Sequence, residues 1–314
     1  MLPRTATIAG CGDVGLRVAR ALRELGREVT AIVRSPQSAA RLRELGITAI
    51  VHDLDIDTIE RRRPREGGDP VFDSLAVAGV QARVLDLDAA VADIRETGTI
   101  YYFAPPPGSG ATDPRLRRLL AALDSPPQRL GYISTSGVYG DCGGRWIDED
   151  ESFKSISERA RRRLDAERAL RQSGLPGVIL RVPGIYGPGR LPEERLRKGL
   201  PVLRPEDSPY TNRIHADDLA MAALHAAAHG APGAAYNISD GQPTTMCDYF
   251  TRCAALLGLP PPPQVGLEEA RRVFTPAMWS FMEESKRLVN RRMLEQLGFA
   301  PRYPDLASGL PACL

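Results

Sequence analysis

The sequence predicts an α/β protein: a doubly wound parallel sheet with a smaller C-terminal lobe. Apolar runs of strand length alternate with helical periodicity up to about residue 184. A glycine-rich turn joins the first such run to the first helix. The third run, ITAIV at 47–51, is continuously apolar, as a strand covered by helices on both faces should be.

The predicted elements follow in a regular order. ATIAG, EVTAIVR and ITAIV predict three strands, and TIYYFAPP, RLGYISTS and GVILRVPG predict three later ones. LRVARALRELG, PQSAARLRELG, RLRRLLAALD and the 157–172 stretch predict the helices between them. After about residue 184, short strands and loops alternate with helices. We therefore predict a Rossmann-type, nucleotide-binding domain over 1–183 and a mainly substrate-binding lobe over 184–314.

An internal repeat interrupts this order. LGITAIVHDLDID at 45–57 and AGVQARVLDLDAA at 78–90 align at a constant offset, with a charged, Gly- and Pro-containing segment between them. The second copy alternates apolar and polar residues, as an edge strand does. We therefore predict that 47–51 form the third strand, that about 56–79 form a surface insertion, and that 80–84 add an edge strand or an ordered loop. Chance similarity of two strand ends is the alternative.

Composition argues against several classes of protein. The chain has 314 residues and a net charge of +2, so no global electrostatic attraction to nucleic acid or membranes is expected. The five cysteines form no C-x-x-C pair, which fits a reducing compartment. The start MLPRTATIAG lacks a signal-peptide core, and no apolar run reaches membrane length, so we expect a cytoplasmic location. His225 and His229 have no acidic or cysteine partner nearby in sequence, and we predict no metal site.

The glycine turn GCGDVG at 10–15 follows a predicted strand and opens a predicted helix. In this setting the G-x-G-x-x-G spacing is typical of dinucleotide binding. The first glycine permits a tight turn, the second lets the backbone approach a pyrophosphate, and the third lets the helix pack closely on the strand. The helix N-terminus offers N–H groups and partial positive charge to phosphates. We predict cofactor contacts from Gly10, Gly12, Asp13, Val14 and Gly15.

The end of the second strand indicates which dinucleotide binds. An NAD-specific site usually has an acidic residue there, which accepts from the ribose 2′-OH, but this chain has Arg34 and Ser35. A guanidinium favours a 2′-phosphate through a charge-assisted contact. We therefore predict NADP, with NAD as the alternative. Arg34 could instead simply face solvent without contacting a cofactor. Asp53, after the third strand, is expected near the adenine.

With these motifs, the sequence resembles the short-chain dehydrogenase/reductase superfamily, and within it the extended or atypical NAD-dependent epimerase/dehydratase group. The resemblance implies a Rossmann-type fold, a nicotinamide cofactor, a small-molecule substrate and a homodimer. It covers nearly the whole chain. Besides the glycine turn, it rests on YISTSGVYGD (132–141), the helix at 157–172, LRVPGIYGPGR (180–190), NRIHADDLA (212–220) and YNISDG (236–241).

The resemblance also implies residue roles. Thr135 takes the place of the hydroxyl that binds the reacting oxygen, with Ser136 beside it at the substrate. In the loop between sheet and lobe, Pro183 would contact the cofactor, and Tyr186 would face the nicotinamide side.

Arg213 has two interpretations. The resemblance implies contact with a substrate phosphate. The alternative is an ion pair with Asp217 or Asp218, which follow it closely in sequence.

The chain departs from the family at its usual base, the tyrosine of Tyr-x-x-x-Lys. Aligning Leu164 and Glu167 with the family's L-x-x-E puts Arg159 at the tyrosine position and Arg163 at the lysine position. Arg163 can still donate to ribose hydroxyls. Arg159 cannot act as a base, because a guanidinium does not deprotonate in proteins.

Two replacements for the base stay open: Tyr139, four residues after Thr135, and the acidic run 148–151. In the non-catalytic alternative, Tyr139 only lines a pocket and the acidic run is a solvated loop. Two functions therefore remain. The first is an NAD(P)-dependent oxidoreductase or epimerase acting at a carbinol carbon of a nucleotide-sugar-like or other substrate, with Thr135 and Tyr139 as catalytic residues. The second is a catalytically silent NADP(H)-binding regulator or redox sensor.

Overall fold

The computed structural model describes residues 2–55, 98–123, 125–154 and 157–314. Its strands are numbered along the chain. Strands β1 to β5 are Thr5–Ala9, Glu28–Val33, Thr48–Val51, Thr99–Tyr102 and Arg129–Thr135. Strands β6 to β10 are Trp146–Ile147, Gly177–Val182, Gly184–Tyr186, Val202–Leu203 and Tyr210–Thr211. Strands β11 to β15 are Arg213–His215, Ala235–Asn237, Thr244–Thr245, Gln264–Val265 and Arg287–Leu288.

The helices of the described residues are numbered in the same way. Helices α1 to α4 are Asp13–Glu24, Pro36–Glu44, Pro114–Ala122 and Glu158–Gln172. Helices α5 to α8 are Glu193–Arg197, Ala216–His229, Met246–Leu256 and Leu267–Val273. Helices α9 to α11 are Pro276–Met282, Arg291–Gln296 and Leu306–Gly309. A short 3₁₀ helix, Ser136–Tyr139, follows β5 directly.

The main sheet confirms the predicted fold class. Among the described residues it has seven strands in the order β12-β7-β5-β4-β1-β2-β3, with parallel pairing. This is the Rossmann-type order, in which the direction of winding reverses between β1 and β4. Ligands of doubly wound sheets bind outside the carboxyl ends of the strands at such a reversal.

The first copy of the repeat forms the third strand, as predicted. Strand β3 pairs with β2 from Thr30 opposite Thr48 to Val33 opposite Val51. The predicted insertion at about 56–79 and the second copy, with its predicted strand at 80–84, lie outside the described residues.

Two compact units divide the chain, and they interleave along the sequence. The first comprises residues 1–132, 165–178 and 231–233, and the second comprises 133–164, 179–230 and 234–314. The assignment of cofactor binding to 1–183 and of substrate binding mainly to 184–314 stays a prediction. Within the part of the chain that the structure describes, no helix is both long and apolar enough to cross a membrane.

The first unit contains strands β1 to β4 and helices α1 to α3. Helix α1 buries Val14, Val18 and Leu22, which recur at the spacing of one helix face. Helix α2 begins at a serine N-cap, because the Ser35 side chain accepts from the backbone N–H of Ser38 and proline occupies the first helical position. The serine cap and the proline fix the start of α2 shortly after the end of β2.

The second unit has a separate apolar core. One cluster joins Tyr186, Tyr249 and Phe250 with buried residues of α5, α7 and α11. Another joins Val138 and Tyr139 with buried residues of β6, α4 and β15. Two tyrosines predicted to act on ligands therefore belong to apolar clusters.

Candidate functional site

A cavity of about 330 Å³ opens in the first unit at the carboxyl ends of four strands. Residues 10–12 after β1, 32–34 at the end of β2, 52–54 after β3 and 103–105 after β4 line it. Ser38 and Arg115 complete the lining. The cavity lies where the winding of the sheet reverses, which is the position expected for a nucleotide.

The glycine turn lines part of this cavity, and its glycines differ in structural environment. Gly10 has φ +88°, and a Cβ built there would lie 2.4 Å from the backbone nitrogen of Ala104. A Cβ at Gly15 would lie 3.0 Å from the carbonyl oxygen of Gly10. A Cβ at Gly12, the N-cap of α1, would have no described atom within 4 Å. Packing therefore explains Gly10 and Gly15, whereas the open space at Gly12 fits a phosphate group brought close to the backbone.

The two other predicted residues of the turn do not line the cavity. Asp13 is exposed and its carboxylate pairs with Arg17 at 3.1 Å. Val14 belongs to α1, and its side chain is buried. Any contact that these residues make with a ligand would come from their backbone N–H groups at the helix N-terminus.

Arg34 lies at the cavity with its side chain exposed. Within the described residues, its guanidinium makes no hydrogen bond and no ion pair. Ser38, on the first turn of α2, lines the same cavity, and its hydroxyl is 2.9 Å from that of Ser35. The arrangement offers one cation and two hydroxyls at the N-terminus of a helix, a combination suited to an anion.

The segment after β3 is held by two arginines of α3. Arg115 makes a bidentate ion pair with Asp55, and Arg118 donates to the carbonyl oxygen of Leu54 over 2.9 Å. Arg115 lowers the pKa of the Asp55 carboxyl. Asp53 lines the cavity and its carboxylate accepts from the backbone N–H of Asp55 over 3.0 Å. Asp53 is therefore positioned at the cavity, and Asp55 holds Arg115, which lines it.

Sequence reasoning missed several lining residues. Phe103 and Pro105 follow β4, and the rule that ligands bind at the carboxyl ends of strands could have identified them. Arg115 could not be identified in this way, because its partner Asp55 is 60 residues earlier in the chain. His52, which is buried, also lines the cavity.

In the second unit, Thr135 ends β5 and begins the 3₁₀ helix. Its Oγ1 accepts from the backbone N–H of Gly137 over 3.2 Å. Because a hydroxyl has one donor besides its acceptor lone pairs, the Thr135 O–H can still donate to a ligand. Ser136 beside it is buried.

Arg163 contacts the same strand as Thr135. Its Nη1 donates to the carbonyl oxygen of Ile133 over 2.8 Å, and its side chain is half-buried. The Arg163 guanidinium is thereby bonded to the residue two positions before Thr135 on the same strand. Pro183, predicted at the cofactor, is half-buried between β7 and β8.

Tyr139, the predicted acid/base, lies in the interior of the second unit. The Tyr139 side chain is fully buried, and its hydroxyl donates to Oδ1 of Asn237 over 2.7 Å. The same oxygen accepts from Nη1 of Arg181 over 2.9 Å, and the Arg181 guanidinium lies over the Tyr139 ring at 5.1 Å. Its O–H and its oxygen are therefore both engaged inside the unit.

The acidic run at 148–151 is partly buried. Glu149 is buried, and its Oε1 accepts from the backbone N–H of Asn237 over 2.8 Å. Burial raises the pKa of Glu149. Asp150 pairs with Arg292, and Glu151 pairs with Arg145 at 3.0 Å. These carboxylates hold chain segments together, so they are poorly placed to replace the base.

Tyr186 and Arg213 also lie inside the second unit. Tyr186 is fully buried and its hydroxyl donates to the carbonyl oxygen of Asp305 over 3.3 Å. Burial raises its pKa. Arg213 lies under the ring of Tyr249 at 4.2 Å and donates to the carbonyl oxygen of Asn212 over 3.0 Å. Both side chains are buried within the unit.

The alternative ion pair for Arg213 is not formed either. Asp218 accepts from the backbone N–H groups of Arg302 and Tyr303, each over 2.9 Å. Asp217 lies 3.6 Å from His215. Burial lowers the pKa of Arg213, and within the described residues its Nε has no hydrogen-bond partner.

Comparison with known proteins identifies the family. The family model described as the NAD dependent epimerase/dehydratase family matches residues 6–239. The chain belongs to this family. Its members use a nicotinamide dinucleotide, and the chain is accordingly an NAD(P)-dependent protein of the oxidoreductase and epimerase type.

Two relatives match this chain over nearly its whole length. The 3-diazoavenalumate denitrifying reductase of Streptomyces sp is 26% identical over 98% of this chain and 99% of its own length. A conserved protein of unknown function from Silicibacter pomeroyi DSS has 29% identity and a TM-score of 0.76, covering 98% of this chain and 97% of its own.

A third relative covers less of the chain. The 4-hydroxy-2-methyl-3-oxo-4-farnesyl-3,4-dihydroquinoline-1-oxide ketoreductase of Stigmatella aurantiaca is 26% identical over 79% of this chain and 71% of its own length. The comparisons thus favour an oxidoreductase over a silent regulator.

Proposed function

We propose that the protein is an NADP(H)-dependent reductase that interconverts a small carbonyl compound and the corresponding alcohol by hydride transfer. The combination of a glycine turn with open space at Gly12, a cation at Arg34 and an available hydroxyl at Thr135 carries the proposal. The names of two relatives, a reductase and a ketoreductase, support it. Because Arg213 is buried under Tyr249, we favour a small carbonyl compound over a nucleotide sugar.

The first unit would bind the nucleotide. The N–H groups at the start of α1 would receive the pyrophosphate, and Asp53 would lie at the adenosine. Arg34, with the hydroxyls of Ser35 and Ser38, would receive a 2′-phosphate. An NAD-specific site would need an acidic side chain where Arg34 stands, so NADP is the proposed cofactor.

The second unit would position the substrate oxygen. When bound, NADPH supplies the hydride. The Thr135 hydroxyl would donate to the substrate's carbonyl oxygen, since its own oxygen already accepts from Gly137. Arg163 would donate to ribose hydroxyls, and its charge would stabilise the alkoxide that develops on that oxygen. Because Arg159 replaces the family's tyrosine, the final proton would come from solvent through Thr135.

Charge and cysteine usage support two further parts of the proposal. We place the reaction in the cytoplasm and expect a small molecule, rather than nucleic acid or a membrane, as the partner. We also propose a homodimer, which the family resemblance implies.

The proposal is tested by following NADPH consumption with a panel of aldehydes and ketones and by identifying the alcohol formed. Thr135→Val should lower kcat by about 10²–10³-fold, the usual effect of removing one donor to a developing oxyanion. It should leave NADPH affinity unchanged. Tight NADPH binding without reduction of any carbonyl compound would contradict the reductase and favour the catalytically silent regulator.

A further inference from the structure

Arg159 is stacked on an aromatic ring at the surface of the second unit. Its guanidinium carbon lies 4.5 Å from the ring centroid of Phe281, which is 43% exposed. Arg159 itself is exposed. A guanidinium that stacks uses its flat face, so its N–H donors point outward from the edge. Within the described residues, this guanidinium has no hydrogen bond and no ion pair.

Two neighbouring arginines of α4 are engaged, in contrast to Arg159. Arg162 pairs with Glu158 at 3.5 Å, and Arg163 donates to the carbonyl oxygen of Ile133. The charge of Arg159 is therefore not neutralised by the acidic residue of its own helix turn. The partial positive charge at the N-terminus of this 15-residue helix adds to it.

The position of Arg159 relates it to the proposed chemistry. Arg159 and Arg163 are four residues apart on α4, so they lie on one face of the helix. Arg163 is bonded to Ile133, two residues before Thr135. Arg159 thus stands about one helix turn from the cation that contacts the Thr135 strand.

We propose that Arg159 and Phe281 form a carboxylate site and that the substrate is a planar, apolar carboxylic acid, such as an aromatic acid. The edge of the guanidinium would receive the carboxylate through two parallel hydrogen bonds, a geometry that carboxylates match. The exposed part of the Phe281 ring would contact the flat apolar body of the acid. The reaction of this acid rests on the proposed function, but the binding of its carboxylate does not.

The test measures binding of benzoate, phenylacetate and cinnamate by calorimetry, each against its neutral amide, with and without NADPH. At least one acid should bind about tenfold or more tightly than its amide, as expected for a charge-assisted contact. Arg159→Gln should abolish that difference. Arg161→Gln, an exposed arginine of the same helix, should not. Phe281→Leu should reduce the preference for aromatic over aliphatic acids of similar size.

The outcomes separate this inference from the proposed function. Acids that bind no better than their amides, or an acid preference that survives Arg159→Gln, overturn the carboxylate site. Acid binding that depends on Arg159 in a protein that fails to bind NADPH supports the site and contradicts the reductase. Thermal unfolding of each variant should match the unaltered protein, since both side chains are exposed.

Discussion

The hydroxyl of Tyr139 donates to Oδ1 of Asn237 over 2.7 Å in the interior of the second unit. It also accepts from Arg181, which donates in addition to the carbonyl oxygen of Glu149 over 3.0 Å. Phenol, amide and guanidinium therefore tie the 3₁₀ helix after β5 to β7 and β12. We therefore expect Tyr139 to contribute to stability rather than to catalysis.

We predict that Tyr139→Phe lowers the free energy of unfolding by about 1–3 kcal/mol, because the buried amide and guanidinium each lose a partner. NADPH affinity and turnover should be retained. Tyr210→Phe, at an exposed tyrosine, is the control and should leave stability unchanged. Denaturant unfolding measures the effect. Loss of turnover in Tyr139→Phe at unchanged stability would restore this phenol as the acid/base.

The glycine turn allows a matched pair of substitutions. Gly12→Ala places a methyl group where no described atom lies within 4 Å, so folding should be unaffected and NADPH binding should fall sharply. Gly10→Ala places it 2.4 Å from the backbone of Ala104 at a positive φ, so stability should fall first. Thermal unfolding without ligand and nucleotide fluorescence separate the two effects. Unchanged NADPH affinity in Gly12→Ala would remove the pyrophosphate from this turn.

The fold was predictable because its signals are local. Continuous apolar runs identified the strands, including β3, whose last three residues are buried. The glycine turn was predictable for the same reason: its tight turn and close packing are set by neighbouring residues.

The orientation of the predicted site tyrosines was not predictable, because their partners are distant in sequence. Asn237 lies 98 residues after Tyr139, and Asp305 lies 119 residues after Tyr186. A motif places a tyrosine in a loop, but only the packed unit determines whether its hydroxyl faces a ligand or the interior. The position of Arg213 under the ring of Tyr249 was not predictable either, since the two residues are also distant in sequence.

Arg34 should decide which cofactor binds. A charge-assisted contact to the 2′-phosphate contributes about 1.5–3 kcal/mol, so Arg34→Gln should weaken NADPH by about 10–150-fold and NADH little. Arg20→Gln, an exposed arginine of α1 away from the cavity, should change neither affinity. Fluorescence titration with both nucleotides measures this. Equal losses for NADPH and NADH would show that Arg34 does not contact the 2′-phosphate.

Asp240 should give the second unit an unusual pH dependence. Its carboxyl is buried, one oxygen accepts from the backbone N–H of Gln242 over 3.1 Å, and within the described residues the other has no hydrogen-bond partner. Burial raises the pKa of Asp240 from 3.8 to about 7, although the charge of Arg213 acts in the opposite direction. The folded protein therefore holds a proton that the unfolded chain releases near pH 4.

The sign of the effect follows from this proton. Because the folded-state pKa is the higher one, the contribution of Asp240 to stability is fully present below about pH 4 and is lost as pH rises to about 7. Asp240→Asn keeps an acceptor for Gln242 and cannot ionise. The unfolding free energies of the two proteins, measured from pH 4 to pH 8, should diverge in favour of the variant by up to about 1.4 kcal/mol per pH unit within that window. They should then run parallel above it. Curves that stay parallel throughout would mean that the Asp240 carboxyl ionises as readily in the folded protein as in the unfolded chain.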